Sequence, residues 1–274
     1  MTKWRKAVGA ALVVCLLFSG CGQRDYRPLL ASYRDFNRSD ARDVVFTYEF
    51  DAPELRALDE TYGLRDISGA GDVQTRALRL LHWLCAHTHH DNPKRLPENV
   101  RLQAMDLLGW AFGSKKNGLN CKHLSIVLSE CLLAVGIQAR VLYCYPKVYK
   151  NDNHVVVEVW LSEEERWIML DPSWEIFLSD EAGKILGVRE IRELLASGQE
   201  PRLNPEAQKD GAWYLWYLAK DMFYFDRARE TRYGVHDFGG GEPGGTIFIS
   251  LCPAGYDLNP DEGPVYAAYD SFWK

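Results

Sequence analysis

Three residues, Cys121, His154 and Asp171, are of the types that can together attack an acyl group. Cys121 stands where a polar turn meets the start of a predicted helix, and the positive end of a helix stabilises the thiolate form of a cysteine. His154 opens a strand-like run, and Asp171 ends the next one. A thiolate, an imidazole that exchanges its proton and a carboxylate that orients the imidazole form a nucleophilic site.

Taken alone, each of these residues has an ordinary structural explanation. Cys121 could be a small apolar residue of the core. His154 could be a polar residue at a strand end, and Asp171 could shape the turn before Pro172. Their occurrence together, in the order nucleophile, base and carboxylate, favours the chemical interpretation over three separate structural ones.

A predicted helix positions Cys121. Apolar residues follow it at the spacing of one helix face, and Gly136 ends the pattern. These residues are Leu124, Val127, Leu128, Cys131, Leu132 and Val135. Cys131 lies on the apolar stripe and is expected in the core, whereas Cys121 lies at the N-terminal end of the helix.

A predicted hairpin positions the other two residues. Residues 154–161 form the most strand-like run of the chain, residues 162–166 are a charged loop, and residues 167–171 are the return strand. Folding the hairpin brings His154 and Asp171 to the same end of the strand pair. A carboxylate there can hold one imidazole nitrogen and leave the other facing outward.

The remaining pattern predicts further elements around this centre. Helices are expected at 54–64, 72–87 with Asp72 as N-cap, 100–110, 188–196 and 213–227, and strands at 44–48, 137–145 and 246–252. The glycine-rich run 239–245 is expected to be a flexible loop, and the tail 253–274 irregular. The aromatic stripe of helix 213–227 favours a core role over a ligand platform.

A cluster of His and Cys residues ends the helix 72–87. Cys85, His87, His89 and His90 could in principle ligate zinc, which needs about four converging ligands. Alternating histidines at a helix exit diverge, and no second ligand pair with compact spacing is evident. We therefore expect a solvated helix end, with no metal and no cofactor.

In their order along the chain, these motifs resemble those of the transglutaminase-like superfamily, a papain-like group of cysteine enzymes. The resemblance covers roughly residues 72–174 and rests on Gly118 with Cys121, the phrase 136–140 (Gly-Ile-Gln-Ala-Arg), His154 with Glu158, and Asp171-Pro172-Ser173. It implies an α+β fold with a papain-like or transglutaminase-like core, in which helices pack on an antiparallel sheet. It also implies that Cys121 is the nucleophile, His154 the base and Asp171 the orienting group.

The sequence departs from the family pattern near the nucleophile. Gly118 stands three residues before Cys121 instead of one or two, and valines follow His154 where the family often has an aromatic residue. The oxyanion hole would include the Cys121 backbone N–H. For its second donor the sequence leaves two candidates, Trp110 and Asn120.

The first twenty residues predict a leader outside the fold. Lys3, Arg5 and Lys6 precede an apolar run, residues 7–18, that is too short to span a bilayer. The following Ser19-Gly20-Cys21 resembles the lipobox of bacterial lipoproteins, although Phe18 stands where leucine is more usual. That resemblance implies lipidation of Cys21 and a lipid-anchored protein of the cell envelope; the alternative is an ordinary secretory signal.

The predicted organisation is a signal peptide (1–20), a tether and entry segment (21–43), a transglutaminase-like core (44–175) and a C-terminal elaboration of the same domain (176–274). Five cysteines remain beyond Cys21, an odd number for an exported protein. Cys121 is expected to be a free thiol. Whether Cys85, Cys131, Cys144 and Cys252 form disulfides is left open.

The formal net charge of −6 argues against a nucleic-acid binder, which would need a basic face. The sequence and the resemblance together predict an exported, membrane-tethered cysteine hydrolase that cleaves an amide bond in a peptide, protein or cell-wall peptide. Two alternatives remain at this point: a transglutaminase that passes the same thioester to an amine, and a non-catalytic binding module with the same fold.

Overall fold

The computed structural model describes residues 25–92, 96–148, 152–237, 246–258 and 265–274. The predicted leader, Cys21 and the glycine-rich run 239–245 lie outside these ranges. The helices are α1 (Arg27–Ser32), α2 (Pro53–Tyr62), α3 (Leu64–Ser68), α4 (Val73–His87), α5 (Ala104–Gly113), α6 (Cys121–Ala134), α7 (Val188–Ala196), α8 (Gly211–Asp221) and α9 (Tyr269–Trp273).

The strands are β1 (Thr47–Tyr48), β2 (Ala139–Tyr145), β3 (His154–Leu161), β4 (Arg166–Leu170), β5 (Leu178–Ser179), β6 (Arg202–Leu203), β7 (Tyr224–Ala228), β8 (Glu230–Thr231), β9 (Phe248–Leu251) and β10 (Val265–Tyr266). Six of them form a central sheet in the order β10-β9-β7-β2-β3-β4. All its pairs are antiparallel except β10 with β9. The α+β class predicted from the sequence is confirmed.

Helices cover both faces of the central sheet. Side chains from α2 to α6 pack with Val155, Val157 and Val159 of β3 in one apolar cluster. Side chains from α1, α7, α8 and α9 pack with Val156 on the other face. Because β3 is buried on both faces, it reads as a nearly continuous apolar run instead of an alternating one.

The two elements that position the candidate site match their predictions closely. Helix α6 begins at Cys121, and Gly136 follows its end with φ +78°, a conformation that glycine adopts without strain. Strand β3 spans the predicted residues, and β4 begins at Arg166, one residue earlier than expected. Asp72 caps α4 by accepting the Thr75 N–H, also as predicted.

Other boundaries were wrong for identifiable reasons. The helix expected at 54–64 is divided into α2 and α3 at Gly63, whose φ is +65°. The helix expected from residue 100 begins at Ala104, where the buried Glu130 carboxylate accepts the Ala104 N–H at 2.6 Å. The end of the C-terminal tail, expected to be irregular, contains β10 and α9.

The aromatic helix expected at 213–227 ends at Asp221, where α8 stops. Tyr224 and Phe225 instead lie in β7, between β2 and β9 in the sheet. Pairing with two strands that are distant in sequence therefore outweighs the local helical pattern.

Five cysteines lie within the described ranges, and all are free thiols: Cys85, Cys121, Cys131, Cys144 and Cys252. No helix within these ranges is long and apolar enough to cross a membrane.

A buried ion pair links β2 and β3 behind the candidate site. Arg140 and Glu158 are cross-strand partners, each about 1% exposed, and Arg140 Nη2 lies 2.7 Å from Glu158 Oε2. The other carboxylate oxygen accepts the Val188 N–H at the start of α7, and Arg140 also donates to the carbonyl of Lys274. Two residues of the family motifs thus connect the sheet, α7 and the C-terminus.

We predict that Glu158→Gln lowers the free energy of unfolding by about 3–5 kcal/mol, because it removes the charged partner of the buried Arg140 guanidinium. Denaturant unfolding would measure the change. The control is Glu164→Gln, which removes the partly exposed pair with Arg166 and should cost about 0–1 kcal/mol. Equal costs for the two variants would contradict the structural role of the buried pair.

Candidate active site

Cys121 is the first residue of α6, and its position is fixed from both sides. The side chain of Asn120 caps the helix by accepting the His123 N–H at 3.0 Å. One turn further, Ser125 Oγ donates to the carbonyl of Val155 at 2.9 Å, which ties α6 to β3 next to His154. The half-buried thiol therefore lies at a rigid helix start against the sheet.

His154 and Asp171 meet at the end of the hairpin, as the strand pairing required. The imidazole Nε2 lies 2.7 Å from Asp171 Oδ2, and both side chains are fully buried. Because the ionised carboxylate can only accept, Nε2 carries the proton. The second nitrogen, Nδ1, has no hydrogen-bond partner of ordinary geometry among the described residues, and it is the nitrogen left to interact with the Cys121 thiol.

The Asp171 carboxylate is held by more than its histidine. Tyr214 of α8 donates its hydroxyl to Oδ2 at 2.9 Å, and the Ser173 N–H donates to Oδ1 at 2.9 Å. The backbones of Asp171 and Ile176 pair across the loop that follows β4. Asp171 thus shapes its own turn and also binds His154.

Aromatic rings enclose the imidazole of His154. Trp174 stacks on it with ring centroids 5.5 Å apart and an angle of 16° between the planes. Tyr217 contacts its edge at 5.1 Å between centroids. The rings restrict the orientation of the imidazole and keep water from its bond with Asp171.

The pKa of the Cys121 thiol is lowered to about 6. Burial would raise this pKa, but hydrogen bonding by His154 and His90 and the charge of His154 favour the thiolate more strongly. The other cysteines behave differently, since burial raises the pKa of Cys85 to about 12 and that of Cys131 further. Cys121 is the thiol suited to act as a nucleophile near neutral pH.

The pKa of His154 is raised to about 10. Burial would lower it, but the charge and hydrogen bond of Asp171 and the nearby Cys121 outweigh burial. Burial would likewise raise the pKa of Asp171, yet His154 holds it below its usual value. Near neutral pH the favoured state is therefore a thiolate, an imidazolium and a carboxylate.

Asp221, at the end of α8, is a second buried carboxyl group near His154. Burial raises its pKa to about 7, against the opposing effect of Lys220, whose Nζ lies 3.5 Å away. Near neutral pH this group is therefore partly protonated. Of the two buried carboxyl groups near His154, Asp171 is therefore the one that carries a full negative charge.

The thiol opens into a cleft of about 650 Å³. Its lining residues come from the α4–α5 connection, Asn120 and the start of α6, β2, the end of the β2–β3 connection, β3, the loop after β4 and α8. They are His90, Asn92, Asn120, Cys121, Lys122, Tyr143, Tyr145, Asp152, Asn153, Val155, Trp174, Trp213 and Tyr217. Trp213 and Tyr217 of the aromatic stripe pack against the core, as predicted, and they also form a wall of the cleft, which the core interpretation did not include.

The histidines at the end of α4 and just after it lie in separate surroundings. His87 bonds the carbonyl of Trp83, His89 lies against Gly118, and His90 lines the cleft. Within the described ranges no group of three or more His, Cys, Asp or Glu side chains is arranged to hold a metal ion.

The two candidates for a second oxyanion donor have different positions. Trp110 packs against the helical core and does not line the cleft. Asn120 lines the cleft, and its side-chain oxygen is occupied in capping α6. Neither side chain is directed by an observed contact toward the Cys121 sulfur.

Sequence reasoning missed three residues of the site: Tyr214, Trp174 and His90. Trp174 follows the Asp-Pro-Ser motif directly, and Tyr214 lies in the aromatic stripe, so both carried a weak signal. His90 was included in the histidine cluster, which was interpreted as a solvated helix end. For His90 that prediction was wrong, because it lies beside the nucleophile.

Part of this chain is similar to several known proteins. Among solved structures, similar chains include a candidate cysteine protease from Cytophaga hutchinsonii (12% identity, 54% of this chain and 48% of that chain, TM-score 0.34). They also include the periplasmic domain of TgpA from Pseudomonas aeruginosa (21%, 53% and 46%, TM-score 0.33) and LapG from Legionella pneumophila (16%, 50% and 74%, TM-score 0.32). This chain thus aligns with about half the length of the first two. No curated protein matches its sequence.

The model of the transglutaminase-like superfamily matches residues 63–172, a range that contains Cys121, His154 and Asp171. Residues 63–172, within the α+β fold, are thus similar to the transglutaminase-like superfamily.

Proposed function

We propose that the protein is a cysteine hydrolase that cleaves an amide bond through Cys121, His154 and Asp171. The observation that carries this proposal is the arrangement of the three side chains. A thiol with a pKa of about 6 lies at a helix start beside an imidazole that a buried carboxylate holds at 2.7 Å. A binding module has no need for an ionised thiol next to a charged imidazole.

The chemistry follows from the charge state of the site. The Cys121 thiolate adds to the substrate carbonyl, and the His154 imidazolium gives its Nδ1 proton to the leaving amine as the C–N bond breaks. Neutral His154 then takes a proton from water, whose oxygen attacks the thioester and releases the acid. The thiolate and the imidazolium are restored, and Asp171 keeps its charge throughout.

The cleft and the predicted leader suggest where the substrate is found. Substrates of the proposed class are peptides, proteins or cell-wall peptides, whose backbone amides fit an open cleft with aromatic walls. Ser19-Gly20-Cys21 would anchor the enzyme by lipid to a bacterial membrane. If an amine instead of water accepts the acyl group, the same thioester gives transamidation, and the product distinguishes the two outcomes.

We predict that iodoacetamide alkylates Cys121 with a midpoint near pH 6, because His154 and His90 stabilise its thiolate. An unperturbed cysteine would show a midpoint of about 8.5. Mass mapping of the labelled protein across pH gives the profile of each cysteine. Cys121→Ser should remove the early labelling, and His154→Ala should move the midpoint upward. Faster labelling of Cys85 or Cys131 in the folded protein would identify a different nucleophile.

We predict that Asp171→Asn raises the pKa of the Cys121 thiol and slows acylation, because a neutral amide stabilises the imidazolium less than a carboxylate does. Cys121→Ser and His154→Ala should each lower kcat/KM at least about tenfold more than Asp171→Asn does. The matched control is Asp221→Asn, which changes a second buried carboxyl group that is not hydrogen-bonded to His154. A thiol pKa that rises as much in the Asp221 variant would argue against a special role for Asp171.

We predict that the protein, expressed in a bacterium with its leader, partitions into detergent and carries lipid on Cys21. Mass spectrometry of the mature N-terminus would detect the modification. Cys21→Ala should prevent lipidation, while Cys15→Ala, inside the leader, should not. Unlipidated wild-type protein cleaved at another site would contradict the anchor.

A further inference from the structure

The segment after α4 is held against the turn that precedes the nucleophile. The Asp91 N–H donates to the Leu119 carbonyl at 2.9 Å, and the Leu119 N–H donates to the His89 carbonyl at 3.1 Å. These bonds pair His90 with Leu119 in parallel, two residues before Cys121. The backbone thus fixes His90 relative to the thiol.

The ring of His90 is also positioned by packing. It contacts Trp174 with centroids 5.0 Å apart, and Trp174 stacks on His154 as well. One indole therefore supports both imidazoles that flank the Cys121 sulfur. His154 is fully buried and bound to Asp171, whereas His90 is half-buried and faces the cleft.

Gly118 makes this arrangement possible. A Cβ atom at this position would lie 2.3 Å from Cβ of Asp91 and 2.9 Å from Nε2 of His89, both too close for any side chain. The motif glycine thus allows the His90 segment to lie against the nucleophile turn. This contact explains why a glycine is needed three residues before Cys121.

The position of His90 matches a requirement of acyl transfer. When the sulfur adds to a carbonyl, the negative charge moves to an oxygen on the carbon that the sulfur has just bonded. His90 lines the same cleft as the sulfur, so a ring N–H at this place lies near this oxygen too. The Cys121 backbone N–H, unpaired in the first turn of α6, supplies one donor, and a second is needed from the cleft side.

We infer that His90 is that second donor: its ring N–H, on the cleft wall beside Cys121, bonds the substrate oxyanion once the sulfur has reacted. The inference rests on the proposed acyl-transfer function. No proton moves through His90, since His154 supplies the leaving-group proton. His90 stabilises charge on the oxygen and touches the reacting atoms, so it is a catalytic residue in this assignment.

Two reagents distinguish stabilisation of the oxyanion by His90 from stabilisation of the Cys121 thiolate. Iodoacetamide alkylates the sulfur without creating an oxyanion, whereas p-nitrophenyl acetate acylates it through one and releases p-nitrophenolate in a burst. Both rate constants are measured across pH and divided by the fraction of Cys121 that is present as thiolate. We expect His90→Phe to lower the acylation rate about 10²–10³-fold and to change the alkylation rate less than about threefold. His90→Gln, which keeps an N–H donor, should recover at least about tenfold of the loss.

Two further variants test the geometry. Gly118→Ala must displace the His89–Asp91 segment and should also lower acylation more than alkylation. His87→Gln is the control, because His87 belongs to the same histidine cluster but bonds Trp83 away from the cleft. It should leave both rates unchanged, and circular dichroism confirms that each variant is folded.

The inference is overturned if folded His90→Phe acylates at the wild-type rate, or if its two rates fall together. In both cases a wild-type burst that requires Cys121 would leave the proposed function standing. Absence of any burst from wild-type protein whose Cys121 is alkylated near pH 6 would overturn the proposed function, and this assignment with it.

Discussion

The bond between His154 and Asp171 is the interaction on which the rest of the site depends. Burying either group alone would favour its neutral form, since charge is costly away from water. Buried together at 2.7 Å, each keeps the other charged, and the imidazolium in turn favours a thiolate at Cys121. The Cys121 thiolate is therefore favoured by a carboxylate that binds His154 and not the thiol itself.

Such a pair needs a scaffold that holds it in position, because a buried ion pair is only favourable with good geometry and additional hydrogen bonds. The hairpin fixes the backbones of both residues, and Tyr214 and Ser173 satisfy further lone pairs of Asp171. Behind the site, Arg140 and Glu158 form a second buried ion pair, which joins two strands of the sheet. Strand β3 thus contributes one partner to each of two buried ion pairs, His154 to the first and Glu158 to the second.

The parts of this arrangement that were predictable from the sequence are those set by local pattern. The start of α6, the bounds of β3 and the meeting of His154 with Asp171 follow from periodicity and from the geometry of a hairpin. Tyr214 and His90 did not follow, because they reach the site from segments that are distant in sequence. The same reason explains the error at 213–227, where strand pairing of β7 ended the helical pattern.

The two imidazoles beside Cys121 show how position assigns different tasks to the same side chain. His154 lies beneath the cleft surface, bound to a carboxylate and enclosed by rings, which suits a group that must hold a proton and deliver it in one direction. His90 comes from a loop held to the nucleophile turn by backbone bonds and faces the space that a substrate would occupy. Trp174 contacts both rings, so a shift of the loop after β4 would disturb the base and the His90 ring together. Gly118, three residues before Cys121, leaves the room that this third chain segment occupies beside the nucleophile turn.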